Sequence, residues 1–280
     1  MSTLREQMLA DLQLKGLTPK TQKIYLREVS KYAKYFDKSP EQLGEKELRE
    51  YLLYLLNDRK LAKGTYRFYY QGLKFLYKNT LKRDDVVEKI HCPRGERKLP
   101  VVLDLSEVKA LLSVMENLKH RAILTITYTA GLRISETAHL KVSDIDGKRM
   151  MVRVEQGKGG KDRYTILSRT ALECLRQYWR AYRPTEWLFE GQNKDTHICT
   201  SSIRQIFLEA KERAGITKPA SPHTLRHSFA THLIEAGTSL HHVQLLLGHR
   251  SPTTTTVYLH VSRINLAQVT SPLDSIPEEL

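Results

Sequence analysis

The chain contains little cysteine and no long apolar segment. Its 280 residues include three cysteines, Cys92, Cys174 and Cys199, and an odd number of widely separated cysteines does not indicate a disulfide framework. No run of about 18 apolar residues is present, so a membrane-spanning helix is not expected. The first residues, MSTLREQMLADLQLKG, carry charges throughout and lack the apolar core of a signal peptide. We therefore expect a cytoplasmic protein in a reducing compartment, without membrane attachment.

Acidic residues are outnumbered by basic ones. The chain has 45 Lys and Arg against 31 Asp and Glu, a formal net charge of +14. Residues 1–98 contain 22 Lys and Arg and 13 Asp and Glu, and so contribute +9 of this charge. Such an excess favours a surface that binds phosphate groups, with an affinity that falls as salt rises. Because the sequence shows the excess but not its clustering, a generally basic protein is the alternative to a nucleic-acid-binding one.

The pattern of apolar and helix-breaking residues predicts two domains. Residues 1–82 show successive helical patterns, and their aromatic residues at helical spacing are expected in the core. Residues 83–100, RDDVVEKIHCPRGERKLP, are charged and interrupted by Pro and Gly, which predicts a linker. Residues 101–280 are predicted to be mainly α-helical with a small β-sheet, in which RMMVRV and RYTILS flank a glycine-rich turn. The whole chain is thus expected to be an α+β protein, ending in a short helix over 263–269 and a loose tail.

The stretch SPHTLRHSFATHLIEAG, residues 221–237, predicts one helix with two different sectors. Ser221 is a suitable N-cap, Pro222 suits the first helical position and Gly237 suits the exit. The N-terminal end of a helix favours an anion, so cationic groups there indicate a negatively charged ligand. At 100° per residue, His223, Arg226 and His227 share one sector, and the apolar residues Leu225, Phe229, Leu233 and Ala236 share a neighbouring one that is expected in the core.

Two further segments place phosphate-binding groups at junctions between elements. In TAGLRISE, Gly131 ends one helix and Arg133 begins the next, with Glu136 on a similar face. In EQGKGGKD, Lys158 lies in a turn whose glycines allow unusual backbone angles, and Lys161 is a second lysine nearby. This turn lacks the spacing G-x-x-x-x-G-K-[ST], which excludes a nucleotide-binding P-loop.

A last segment, LLLGHRSPTTTTVYLH, has Gly248 as a helix cap, His249 directly after it and Tyr258 nine residues later. With this segment the sequence resembles the tyrosine recombinases, the integrase family of site-specific recombinases. The family signature is an arginine in G-L-R-x-x-E, a lysine in a β-turn, H-x-x-R, and L-G-H followed by a tyrosine. The chain shows GLRISE, GKGGKDR, HTLRHSFATHL, LLGH and TTTTVYLH in that order. Each motif alone is weak, but five in order are specific, and the resemblance covers essentially the whole chain.

The resemblance implies that a DNA phosphodiester is transferred to a tyrosine without a metal or other cofactor. Tyr258 would attack phosphorus, and it needs help because a phenol has a pKa of about 10. Arg133 and Arg226 would bind the non-bridging oxygens through paired donors. The remaining implied roles are His223 as the partner of Tyr258, His249 as a donor to a non-bridging oxygen, Lys158 as the acid for the leaving 5′-oxygen, Glu136 as a group that orients His223 or Arg133, and His227 as a supporting residue.

The resemblance also implies how the molecule assembles. A helical core-binding, SAM-like domain would precede the catalytic domain, and four protomers would act on two specific recombination sites in double-stranded DNA in the nucleoid. The segment 262–280, which contains INLAQV, would dock on a neighbouring protomer. No arm-binding domain is expected before residue 1, and 64 residues separate Lys158 from His223, so the resemblance is to compact Xer-like or mobile-element enzymes. Integration, excision, dimer resolution and transposition share this chemistry, and the sequence does not separate them.

Three other functions remain open at the level of sequence. A type IB topoisomerase has much the same site chemistry but needs no second protomer. A DNA-binding regulator with an inactive site is disfavoured because no chemical position is missing. A metallohydrolase could use His223 and His227, which are four residues apart. A zinc motif of the H-E-x-x-H type, however, needs a glutamate between the pair, and Arg226 would be an unfavourable neighbour for Zn²⁺.

Overall fold

The computed structural model describes residues 3–93, 99–155, 162–249, 251 and 254–259. The chain divides into two compact units, Met1–Arg97 and Lys98–Leu280, each with its own hydrophobic core. The predicted fold class is confirmed, since the units are mainly helical and the second contains a small sheet. The helix predicted over 263–269 and the tail lie outside the described residues. Within the described ranges, no helix combines the length and apolar character that crossing a membrane requires.

The described part of the first unit is helical. Its helices are α1 (Thr3–Leu14), α2 (Pro19–Phe36), α3 (Glu45–Asn57), α4 (Lys63–Phe75) and α5 (Asp85–Glu88), with a 3₁₀ turn at Pro40–Gln42 and a π turn at Leu76–Thr80. Helix α2 begins at a polar cap, because the Thr18 hydroxyl accepts the backbone N–H of Thr21 at 3.4 Å. It ends at Asp37, which has a left-handed φ of 51°.

Aromatic residues at helical spacing form much of the first core, as the sequence predicts. Tyr32 and Tyr77 are fully buried, and their hydroxyl oxygens lie 3.0 Å apart, so both phenols have a polar partner. Val86 and Val87 of α5 are buried in the same core. The sequence predicts a linker over residues 83–100. Helix α5, which lies within this range, instead packs on the first unit.

The described part of the second unit contains α6 to α12 and one sheet. Its helices are α6 (Leu105–Ser113), α7 (Leu118–Thr129), α8 (Ile134–Ala138), α9 (Arg169–Tyr182), α10 (Thr200–Arg213), α11 (Pro222–Glu235) and α12 (Leu240–Leu247). The strands are β1 (Ile145–Asp146), β2 (Met151–Val154) and β3 (Arg163–Ile166), antiparallel in the order β1-β2-β3. Strands β2 and β3 match the prediction, whereas β1 was not predicted. Val154 pairs with Arg163 at the end of the ladder that is nearest the glycine-rich turn.

Strand β3 has its polar residues turned inward. Arg163 is partly buried and Thr165 is fully buried, whereas Tyr164 and Ile166 are exposed by 55% and 38%. The Thr165 hydroxyl donates to the carbonyl of Ala130 at 2.9 Å, which compensates for its burial. Tyr164 thus lies on the strand but in solvent. The inner face of β3 is used for hydrogen bonds.

Helix α11 runs through the interior of the second unit. Leu225 and Phe229 are buried as predicted, but Leu233 is only partly buried and Ala236 is exposed. The prediction of one apolar stripe through Ala236 is therefore wrong. Helix α11 is buried on most sides rather than one, because α7, α10 and α12 all pack against it. Its other buried residues include Thr224, Arg226, Ser228, Ala230, Thr231 and Ile234.

Candidate active site

A tight turn between α7 and α8 positions Arg133. Gly131 has a φ of +60°, and a Cβ atom there would lie 2.3 Å from Cδ1 of Phe229, so glycine allows both the turn and the close approach of α11. Arg133 then occupies the N-cap position of α8, where its backbone N–H donates to Oε2 of Glu136 at 2.9 Å. Its guanidinium donates to Oε1 of Glu136 at 2.6 Å. The motif GLRISE thus brings its arginine and glutamate together.

Arg226 projects from the second turn of α11 into the interior and is 4% exposed. Its two terminal nitrogens donate to the carbonyls of Gly131 at 2.7 Å and Leu247 at 2.6 Å. These carbonyls lie at the C-terminal ends of α7 and α12, where helical carbonyls lack partners within the helix and carry partial negative charge. Burial, followed by the positive charge of Arg133, lowers the pKa of Arg226 to about 10, so it stays charged at neutral pH.

Glu136 is a buried carboxylate that contacts three arginines. Its side chain is 6% exposed, and it contacts Arg133, then Arg163 through two hydrogen bonds of 2.9 and 2.8 Å, then Arg226 at 3.6 Å. Burial alone would raise its pKa, but the hydrogen bonds and charge of Arg163, the backbone N–H of Arg133 and the charge of Arg226 lower the pKa to about 2. Glu136 is therefore ionised across the physiological range.

Tyr258 lies in the short 3₁₀ turn Thr256–Tyr258 and is 2% exposed. Its hydroxyl oxygen lies 3.0 Å from Nδ1 of His227. Burial raises the pKa of the phenol, and the positive charges of Arg226 and Arg133 act against this rise. Burial, followed by the charges of His223 and Arg226, lowers the pKa of His227 to about 4. The tyrosine is therefore paired with a neutral imidazole, and the charges of two arginines act on its phenol.

His249 lies beside the same tyrosine. Its ring is nearly parallel to that of Tyr258, at an angle of 14° with the centroids 6.3 Å apart. Its Nδ1 lies 2.9 Å from the hydroxyl of Thr255, which is fully buried. Burial, followed by the charges of Arg226 and Arg133, lowers the pKa of His249 to about 4. His249 is thus a neutral imidazole with its ring orientation set by Thr255.

His223 has an exposed side chain on the first turn of α11. Desolvation, followed by the charges of Arg226 and Arg133, lowers its pKa. The sequence predicted His223 as the partner of Tyr258, whereas the imidazole within hydrogen-bond distance of that phenol is that of His227. Lys158 and Lys161 lie in residues 156–161, outside the described part of the chain.

Two residues of this site were given no role by the sequence. Arg163 belongs to the motif GKGGKDR, and its position at the start of an alternating segment was the available signal. Thr255 was one of four consecutive threonines, which offer no means of choosing among them. Within the described residues, no three His, Cys, Asp or Glu side chains gather in a way that could hold a metal ion.

Two family models match the chain, one in each unit. The phage integrase family matches residues 101–264 and the phage integrase N-terminal SAM-like domain matches residues 4–85. The chain is 45% identical to y4qK of Sinorhizobium fredii, whose name places it provisionally among integrases/recombinases, over 99% of this chain and 90% of that protein. It is 31% identical to the tyrosine recombinase XerD of Listeria innocua, over 91% of this chain and 92% of that protein.

Solved structures share the fold. The site-specific recombinase XerH, in a post-cleavage complex with its palindromic difH substrate, is 23% identical and superposes with a TM-score of 0.72 over 86% of this chain and 76% of that one. The chain belongs to the phage integrase family, the tyrosine recombinases. Its activity is site-specific DNA recombination, in which strands are cleaved and rejoined through a covalent phosphotyrosyl intermediate.

Proposed function

We propose that Tyr258 is the nucleophile and that Arg133 and Arg226 bind the phosphate it attacks. The observation that carries this proposal is one buried phenol whose hydroxyl lies 3.0 Å from Nδ1 of His227, on the same helix as Arg226. The positive charges of both arginines act on the phenol, and both arginines contact Glu136. Preorganised cationic donors of this kind stabilise the negative charge that develops on a phosphorane-like transition state.

The chemical step exchanges one phosphorus–oxygen bond for another. The Tyr258 oxygen bonds to phosphorus, the bond from phosphorus to the 5′-oxygen breaks, and a 3′-phosphotyrosyl link results. The phenolic proton passes to a neutral imidazole, for which His223 and His227 are the candidates because their pKa values are lowered. Lys158 protonates the departing 5′-oxygen. Attack by a second 5′-hydroxyl reverses the step, so a strand is joined without an external energy source.

The remaining residues act on these groups. His249 donates to a non-bridging oxygen from a ring whose other nitrogen is held by Thr255. Glu136 orients Arg133 through the two hydrogen bonds described above, and His227 supports Tyr258. Because Tyr258 is 2% exposed, its turn moves outward to bring the phenol to DNA. No cofactor takes part in this scheme.

We extend the proposal to partners and organisation. Residues 1–82, with α5 packed on them, form the core-binding domain. The remainder of 83–100 is the linker to the catalytic domain 101–280, and the protein acts on double-stranded DNA with specific recombination sites. The matched SAM-like domain and the basic excess of residues 1–98 support a DNA partner. Four protomers would assemble on two sites in the cytoplasm, at the nucleoid, with 262–280 docked on a neighbour. The DNA that is recombined would belong to a mobile genetic element.

The test uses a nicked suicide duplex taken from DNA that flanks the gene. Wild-type protein in EDTA should form a covalent adduct that survives a denaturing gel and disappears after protease treatment. Tyr258→Phe should bind the same DNA and form no adduct, because it lacks only the nucleophilic oxygen. An adduct with Tyr258→Phe contradicts the assignment, and loss of the wild-type adduct in EDTA contradicts the metal-free step.

A further inference from the structure

Arg163 uses all three guanidinium nitrogens inside the second unit. Its terminal nitrogens donate to Oε1 and Oε2 of Glu136 at 2.9 and 2.8 Å. Its Nε donates to the carbonyl of Leu246 at 2.9 Å. The side chain is 10% exposed. A guanidinium in which every nitrogen already donates within the protein contributes geometry, since three of its five N–H groups have an acceptor there.

The stem of Arg163 packs against the end of α12. A Cβ atom on Gly248 would lie 2.7 Å from Cδ of Arg163, and Gly248 itself has a φ of +64°. The residue after Gly248 is His249. Arg163 therefore contacts the exit of α12 twice, through the carbonyl of Leu246 and through the space that glycine leaves at residue 248.

Arg163 also connects parts of the chain that are far apart in sequence. It begins β3, five residues after Lys158, and Glu136 lies on α8. The same carboxylate contacts Arg133 at 2.6 Å and Arg226 at 3.6 Å. A change at residue 163 is thus transmitted through Glu136 to the two arginines and through the end of α12 to His249.

We propose that Arg163 is a positioning residue for strand cleavage, which joins β3 to Glu136 and to the end of α12 and thereby holds Arg133, Arg226 and His249 in place. The proposal rests on the proposed function, because it concerns the same reaction. Arg163 contacts no reacting atom in this scheme and acts only through its neighbours.

A lysine cannot replace this arginine. The ammonium group is a compact charge on a flexible stem, whereas the planar guanidinium binds both carboxylate oxygens and a third acceptor in fixed directions. Arg163→Lys keeps the charge beside Glu136 and loses the geometry. Arg163→Met loses both while keeping an unbranched apolar stem against Gly248. The pair of variants separates charge from shape.

The acid side of the pH profile distinguishes positioning from mere stability. The charged and titratable groups that face Glu136 are Arg133, Arg163 and Arg226, with His223 nearby. Removing Arg163 takes away the largest factor that lowers the pKa of Glu136, so that pKa rises. Glu136 then becomes protonated as pH falls, and its hold on Arg133 weakens. In the wild type, with the pKa of Glu136 at about 2, this carboxylate does not titrate above about pH 4.

The experiment measures the single-turnover rate of adduct formation on the suicide duplex between about pH 5 and pH 8. At pH 7 we expect Arg163→Met to slow cleavage about 100-fold, as expected for a misplaced reacting group, and Arg163→Lys to slow it about 10-fold. Both should bind DNA as the wild type does. The rate of Arg163→Met should fall further toward pH 5 than the wild-type rate. In Glu136→Gln/Arg163→Met that added acid dependence should vanish, because no carboxylate remains to be protonated.

Two controls keep the outcomes separate. Arg213→Met removes an exposed arginine whose partner is Glu116 at 3.0 Å, and it should retain the wild-type rate. If Arg163→Met does not fold, as judged by circular dichroism, the rate of Arg163→Lys at pH 7 decides. Wild-type rates in the Arg163 variants overturn the inference, as does a loss in Arg163→Met that is equal at every pH. A wild-type protein that forms no adduct contradicts the proposed function instead.

Discussion

Glu136 shows how one buried charge holds a cluster of arginines together. A carboxylate with a 6% exposed side chain is costly to desolvate unless donors surround it, and here three arginines do so. The carboxylate in turn holds the three arginines close together, although their like charges repel one another. Their combined positive charge exceeds the negative charge of the single carboxylate. The cluster therefore keeps a net positive charge, as the proposed phosphate site requires.

Arg226 tests this balance at the scale of a single residue. Arg226→Lys retains the charge but cannot donate to the carbonyls of Gly131 and Leu247 together while facing a phosphate. We expect its rate of adduct formation to fall about 100-fold, the loss typical of one electrostatic donor. Arg226→Ala should fall at least as far. The measurement is single-turnover cleavage of the suicide duplex.

The matched control for Arg226 is Arg176→Lys on α9, where the arginine is exposed. It should cleave at the wild-type rate. Full cleavage by Arg226→Lys would show that charge suffices and that the planar fork has no role. Its adduct rate is to be compared at equal fractional saturation of DNA.

At the scale of elements, the sequence predicted which segments form helices better than which faces they bury. Strands β2 and β3 appear where alternation indicated them, yet β3 directs Arg163 and Thr165 inward and Tyr164 and Ile166 outward. Alternation alone favours burial of the apolar pair. The hydrogen bonds to Glu136 and Ala130 reverse this preference, because an inward polar side chain is tolerated when it has a buried partner.

Gly131 makes the junction of α7, α8 and α11 possible, and Gly131→Ala tests that role. The added Cβ would lie 2.3 Å from the Phe229 ring at a φ of +60°, so both strain and overlap result. We expect the free energy of unfolding to fall by about 2 to 4 kcal/mol. Denaturant unfolding of the full chain provides the measurement.

Gly215→Ala provides the control for that experiment. Gly215 has a φ of +66° with nothing within 4 Å of the added atom. It should lose only the backbone contribution, about 1 to 2 kcal/mol. Equal losses in the two variants would mean that the contact with Phe229 is unimportant.

At the scale of the whole molecule, histidines make the folded second unit less stable as pH falls. Burial is the largest cause that lowers the pKa of five of these histidines, which are His120, His223, His227, His232 and His249. Each therefore binds a proton more readily in the unfolded chain, where the pKa is about 6.5. The unfolded state gains protons first as pH falls, so folded stability declines from about pH 6.5 down to the folded pKa values, which reach about 4 for His227 and His249.

Calorimetric melting of the second unit checks this direction. Its melting temperature should fall from pH 7.5 to pH 5, and His249→Gln should make that fall shallower by removing a contribution of up to about 2 kcal/mol over this range. His241→Gln, at an exposed position on α12, should keep the wild-type slope. A melting temperature that is constant or rises toward pH 5 would refute the expected linkage.

Charge distribution yields a second prediction for the whole molecule. Residues 1–98 hold +9 of the net charge, and each unit has its own core. A fragment 99–280 should bind duplex DNA more weakly than the full chain. Its plot of log affinity against log salt should be less steep, by about 0.9 for each DNA phosphate that the fragment no longer neutralises. Fluorescence anisotropy with one labelled duplex measures both slopes, and equal slopes would place the phosphate-binding groups in the catalytic unit alone.

The sequence by itself determined the family, the order of the five motifs, the helical character of both units and the helix breaks at Gly131 and Gly248. These follow from local patterns, since caps, breakers and spacing act between residues that are near in the chain. Only the tertiary structure decided that His227 contacts Tyr258, that Arg163 joins Glu136, and that α11 is buried on most sides. Arg163 and Glu136 are 27 residues apart in the chain, and His227 and Tyr258 are 31 apart. A linear pattern contains no information on which of several polar residues will meet once the helices pack.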